Sequence, residues 1–163
     1  SNNILSAKWM KLIVNAMSMG LKAIADMNSA DAFKVDRMRD VMLKAGEEAL
    51  KVGEGLGYKL EPIMGLSKED IESSNRVQEL LLDTITKHVG PGALNTVIQD
   101  HRKGRYSEVD QINGWVSEGG KKLGIATPIN DMIVGITRKI HNGEANPSKE
   151  LVEECIRTIR DKL

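Results

Sequence analysis

The stretch that decides the fold is ILSAKWMKLIVNAMSMGLKAIADM, residues 4–27. Its apolar side chains at Ile4, Leu5, Trp9, Leu12, Ile13, Ala16 and Leu21 recur close to the helical period. No proline interrupts them, and Asp26-Met27-Asn28-Ser29 supplies a stop. The spacing predicts a helix over 4–27. Inside it, Lys11 and Asn15 stand four residues apart and therefore share a face. Their neighbours Leu12, Ile13, Val14 and Ala16 are apolar. An ammonium and an amide there are expensive unless they reach water, each other or a ligand. A lysine stem lying along the core edge beside a hydrogen-bonded asparagine would satisfy the same pattern. Spacing alone leaves both open.

Working outward, the same periodicity returns. Residues 31–56 carry Phe33, Val35, Met38, Val41, Met42, Ala45, Ala49, Leu50 and Val52 at helical spacing, ended by Gly53, Gly55 and Gly57. Residues 58–67, with Pro62 and Gly65, read as a loop. A third helix is expected over about 69–88, although Ser73-Ser74-Asn75 offers a later start. Gly90-Pro91-Gly92 breaks the chain before a short helix to Arg102. Ser107 is expected to cap a helix running to about Leu123, and Pro128 to open the next at a tolerated position. Residues 128–141 and 148–162 complete the set. No alternating strand or internal repeat occurs. The expectation is one all-α domain over residues 1–163, with about seven helices.

Composition agrees. Met occurs eight times and aromatic residues make up 3%, a balance that favours helices over sheets. Twenty-three basic and 23 acidic side chains cancel, so no bulk field recruits nucleic acid or an anionic membrane. No apolar run is long enough to span a bilayer, and no signal peptide opens the chain. The single cysteine, Cys155, excludes an internal disulfide and fits a reducing cytoplasm; its place on an apolar stripe makes it a packing residue.

A second stretch, SEVD at 107–110, reads locally as a capping box, with Asp110 reaching back and Glu108 in the first turn. Gly114 costs roughly 1 kcal/mol in a helix interior, which points to close helix packing there. His88, His101 and His141 are dispersed without metal-ligand spacing, so no metal site is expected.

Taken in order, KLIVNA, then D-x-x-x-G-R-x-S-E-V-D-x-x-N-G, then G-I-A-T-P-I-N resemble the C-terminal domain of the ketopantoate reductases, also called 2-dehydropantoate 2-reductases. The resemblance runs from about Ala7 to Ile140. It implies the helical domain of a reductase of the 6-phosphogluconate dehydrogenase type, which closes a substrate cleft over a Rossmann domain carrying NADPH. No G-x-G-x-x-G fingerprint follows a strand here, so that Rossmann domain would be a separate partner in the same protein and this chain alone would be inactive. The implied substrate is a small 2-oxo acid, and a homodimer is compatible with the pattern. By the motif, Lys11 would hold the carbonyl oxygen and give it a proton, and Asn15 would bond a substrate hydroxyl. Glu108 would be the cleft carboxylate, and Thr96 would stand for a substrate-contacting serine. Met19 replaces an asparagine that the family often carries, which opens the alternative of a different carbonyl substrate. A non-catalytic helical interaction module is the remaining alternative.

Overall fold

The computed structural model describes residues 4–163; Ser1 and Asn2, to which the sequence assigns no structural role, lie outside them. The described residues form nine α-helices and no strand. These are α1 Ile4–Ala25, α2 Ser29–Ala32, α3 Met38–Gly55, α4 Lys68–Glu72, α5 Val77–Val89, α6 Thr96–Arg102, α7 Val109–Leu123, α8 Pro128–His141 and α9 Lys149–Thr158. A 3₁₀ turn, Arg160–Lys162, follows. The all-α expectation holds.

Helix α1 is the axis, and neighbours pack on it all round. Trp9 near its start donates its indole N–H to the Ala49 carbonyl near the end of α3, at 3.1 Å. Met17, two turns later, lies against Gly46. The reversed order makes α1 and α3 antiparallel. On another side, Asn113 of α7 donates to the Ala16 carbonyl at 3.0 Å and to Asn130 Oδ1 of α8 at 2.9 Å. Ile133 of α8 rests on Gly20. Ser148, which caps α9, donates its backbone N–H to the Ile24 carbonyl at 2.9 Å. Buried Met10, Met17, Met38 and Met42 fill the seams, as flexible thioethers do.

Five details differ from the sequence reading. Residues 31–56 are two helices. Asn28 accepts the Asp31 N–H and caps the short α2, and the chain then turns through Arg37 at φ 61° before α3 begins. The periodic pattern read straight through because the turn still points Val35 and Met38 inward. Residues 69–88 are also two helices. Ser67 and Asp70 form a capping box that starts α4, and the chain is out of helix at Ser74–Arg76 before α5.

Ser107 does not cap α7. Both its backbone N–H and its hydroxyl engage His141 Nε2 at 3.1 Å, and Asp110 takes Arg138 at 2.7 Å instead of reaching back. Glu108 itself is the N-cap residue, without a side-chain cap bond. A tertiary partner has captured each group of the local motif. Gly114, finally, is not a close-approach site: a methyl there would meet nothing nearer than Asp110 at 3.5 Å. The tight glycines are Gly20, Gly46, Gly53, Gly55, Gly119 and Gly120. Gly53 and Gly55 belong to α3, and only Gly57, at φ 84°, has the left-handed conformation of a terminator.

Candidate functional site

The second half of α1 carries Asn15, Ser18, Met19 and Lys22 at helical spacing, so one stripe of the helix presents them together. They line a cavity of about 120 Å³, whose other walls include Asn95 before α6, Leu82 and Ile85 of α5, and Phe33. Ser18 is satisfied inside its own helix, donating to the Val14 carbonyl at 3.0 Å. Lys22 is only 7% exposed and donates to Ser29 Oγ at 3.0 Å. Burial holds its pKa below the ordinary lysine value of 10.5.

Asn95 fixes how α6 meets this stripe. Its side-chain oxygen accepts the Ile98 N–H and starts the helix, and its amide donates to the Met19 carbonyl at 3.2 Å. The next residue, Thr96, donates its hydroxyl to Glu108 Oε1 at 2.9 Å. That bond joins the starts of α6 and α7 at an exposed position, and it orients Glu108 in place of the expected cap.

Of the residues singled out from sequence, Thr96 and Glu108 are therefore in direct contact, and Asn15 lines the cavity that adjoins them through Asn95. Lys11 lies one turn before Asn15, exposed, outside the cavity lining. It makes no hydrogen bond or ion pair with the described residues, so its ammonium is uncommitted. Met19 lines the cavity and also packs on Ala23, Val97 and Ile98, so its thioether serves the α1–α6 contact as well.

Three features went unread in the sequence. Lys22 could have been found, because it stands seven residues after Asn15 on the same face. The buried Glu48 could not. It accepts the backbone N–H groups of Ile129 and Asn130, each at 3.0 Å, and the Asn130 amide at 2.7 Å. Burial raises its pKa above 4.5, and those three donors partly offset the rise. The histidines read as dispersed also meet: the His101 and His141 rings are 5.4 Å apart, edge to face, with Tyr106 packed 4.3 Å from His141.

No group of three or more possible metal ligands occurs among the described residues. Cys155 is buried, and its thiol is pushed up to about 11, which makes it unreactive at neutral pH. A dinucleotide would need a glycine-lined phosphate cradle, and GEGLG at 53–57 does not provide one, because the Trp9 ring already occupies the space beside Gly53. This glycine cluster therefore does not fit the phosphates of NADPH.

A long central helix, a polar stripe along a cavity and a hydroxyl–carboxylate pair beside it define a cavity-bearing all-α domain. Comparison with known proteins makes this specific. Residues 3–141 match the family described as "Ketopantoate reductase PanE/ApbA C terminal", and the chain belongs to that family. The 2-dehydropantoate 2-reductase of Streptococcus pyogenes serotype M1 is 28% identical over 145 residues, covering 88% of this chain and 41% of that protein. The enzyme of the same name from Archaeoglobus fulgidus is 22% identical over 143 residues, covering 87% and 42%. Among solved structures, a PanE/ApbA family ketopantoate reductase from Ralstonia eutropha JMP134 superposes with a TM-score of 0.74 at 27% identity, covering 88% of this chain and 43% of that one. A D-mandelate dehydrogenase bound to NADH and anilino(oxo)acetate superposes with a TM-score of 0.72 at 25% identity, covering 88% and 55%. The chain thus spans less than half the length of the curated relatives it matches.

Proposed function

We propose that this chain is the substrate-side part of an NADPH-dependent reductase that converts a 2-oxo acid to its 2-hydroxy acid, 2-dehydropantoate being the first candidate. The observation that carries it is that Asn15 and Asn95 line one cavity while Thr96, the residue after Asn95, bonds Glu108 just outside that lining, so residues up to 93 positions apart stand near one another. Family membership supplies the reaction class, an oxidoreductase acting on a carbonyl.

With the hydride donor seated outside these residues, their own work is on the substrate. Negative charge gathers on the carbonyl oxygen as the carbon is reduced, and a cation beside it lowers the barrier. Lys11, in no ion pair among the described residues, would hold that oxygen and pass it a proton, leaving a neutral amine that solvent reprotonates. Asn15 would bond a substrate hydroxyl or the acid group. Glu108, held by Thr96, would accept a substrate hydroxyl and fix the face presented for reduction.

A second reading, reduction of a different 2-oxo acid, is favoured by Met19, which puts a thioether in the cavity wall where the family often has an amide. The test is NADPH oxidation by the full-length protein with 2-dehydropantoate. Lys11→Ala should lower kcat/KM by at least about 100-fold, the usual scale of a lost proton donor. An unchanged kcat/KM removes Lys11 from the chemistry.

A further inference from the structure

The cavity along α1 holds one formal charge, and it is the ammonium of Lys22. No acidic side chain lines that cavity, and among the described residues Lys22 takes part in no ion pair. Of its three N–H donors one is accounted for, by Ser29 Oγ at 3.0 Å. A lysine taken out of water without a carboxylate is costly, so proteins rarely keep one unless an anion arrives. Its surroundings are built to receive one. Asn15 and Asn95 line the same space, the Asn95 amide held by the Met19 carbonyl, while Phe33, Leu82 and Ile85 supply an apolar wall for a carbon chain.

Resting on the second reading above, reduction of a 2-oxo acid other than 2-dehydropantoate, we propose that Lys22 is the anchor of an anion subsite, and that the preferred substrate bears a second carboxylate at its far end. Lys22 is two turns beyond Asn15 on the same face, with Cα atoms about 10 Å apart. The reacting carbonyl would lie toward Asn15 and Lys11, and the chain of the acid would run along the apolar wall to Lys22. The depressed pKa of Lys22 fits, since an incoming carboxylate restores the charged form.

The experiment uses the full-length protein in two arms. In the first, adipate and hexanoate are titrated calorimetrically against the unaltered protein and Lys22→Met. Adipate should bind at least ten-fold more tightly than hexanoate, and Lys22→Met should abolish that preference. In the second, NADPH oxidation is followed with 2-oxoadipate and 2-oxohexanoate. The ratio of their kcat/KM values should favour the diacid and fall at least ten-fold in Lys22→Met. Preference for adipate without reduction of either oxo acid leaves the subsite standing and overturns the reductase reading. Reduction of both oxo acids at equal efficiency, or equal binding of the two probes, overturns the subsite. Because the ligand comparison on the unaltered protein decides by itself, a variant that fails to fold does not rescue the proposal. A folded Lys22→Met should also unfold at a higher temperature than the parent, as expected when an unpaired buried charge is removed.

Discussion

Glu48 shows what a single side chain can fix in this fold. It is 3% exposed in the middle of α3 and reaches the first turn of α8, where backbone N–H groups have no helical partner. A carboxylate is suited to that end by the helix dipole as well. Pro128 opens the same turn, so the donors that remain unpaired by α8 itself are the ones Glu48 takes. Asn130 completes the junction, donating to Glu48 and to the Ala45 carbonyl and accepting from Asn113. Three helices thereby meet through one polar knot beside α1. Glu48→Ala strands two buried backbone donors and should cost about 2–6 kcal/mol, at about 1–3 kcal/mol per unmet group. Urea unfolding of the variant measures it, and a loss below about 1 kcal/mol would mean water replaces the carboxylate without penalty.

At the scale of elements, what was legible from sequence depended on whether the cause was local. The long α1 was legible because its apolar period runs without a break, and α8 because Pro128 and a clean period mark it. The break at 33–37 was not, since a turn that keeps Val35 and Met38 buried leaves the period intact. The start of α7 was misread because Ser107 and Asp110 have better partners in His141 and Arg138, which lie about 30 residues away and cannot be seen in a four-residue motif. In the site, the stripe of Asn15 and Met19 follows from spacing, whereas the Thr96–Glu108 bond needs two helix starts to be brought together. Glycine meaning was likewise tertiary. Gly53 must be glycine because the Trp9 ring fills its side, and Trp9 is in turn bonded to Ala49. Gly53→Ala should therefore destabilise by about 1–3 kcal/mol through overpacking. Gly114→Ala meets only ordinary contacts and should stabilise by up to about 1 kcal/mol as the helix gains propensity. Thermal unfolding of the pair decides, and the same sign for both would refute the assignment of close packing to Gly53 alone.

Across the whole molecule, the last helices are fastened to the first by a small neutral cluster around two histidines. His101, at the end of α6, places Nδ1 3.4 Å from the Ala23 carbonyl, so that nitrogen carries its proton. His141, at the end of α8, accepts the Ser107 N–H on Nε2. The opposite nitrogen of each ring, His101 Nε2 and His141 Nδ1, is buried without a partner. Burial depresses both imidazoles below 6.5. The Ala23 carbonyl works against this at His101, and the charges of Asp110 and Asp100 work against it at His141. Both rings are thus neutral in the fold and protonate more readily when the chain unfolds. Between the folded pKa values and 6.5 the unfolded chain binds more protons, so stability must fall as pH drops through that window. Glu48 titrates in the opposite sense, its folded carboxyl holding a proton more firmly than the unfolded one, so the histidine contribution has to be read as a difference. The measurement is the melting temperature from about pH 7 to about pH 5, for the parent and for His101→Gln/His141→Gln. The double variant starts lower, having lost the Ser107 bonds, but its melting temperature should fall less than the parent's as the pH drops. Parallel curves would mean that both rings charge in place, and that the junction between α1, α6 and α8 tolerates two imidazolium groups 5.4 Å apart.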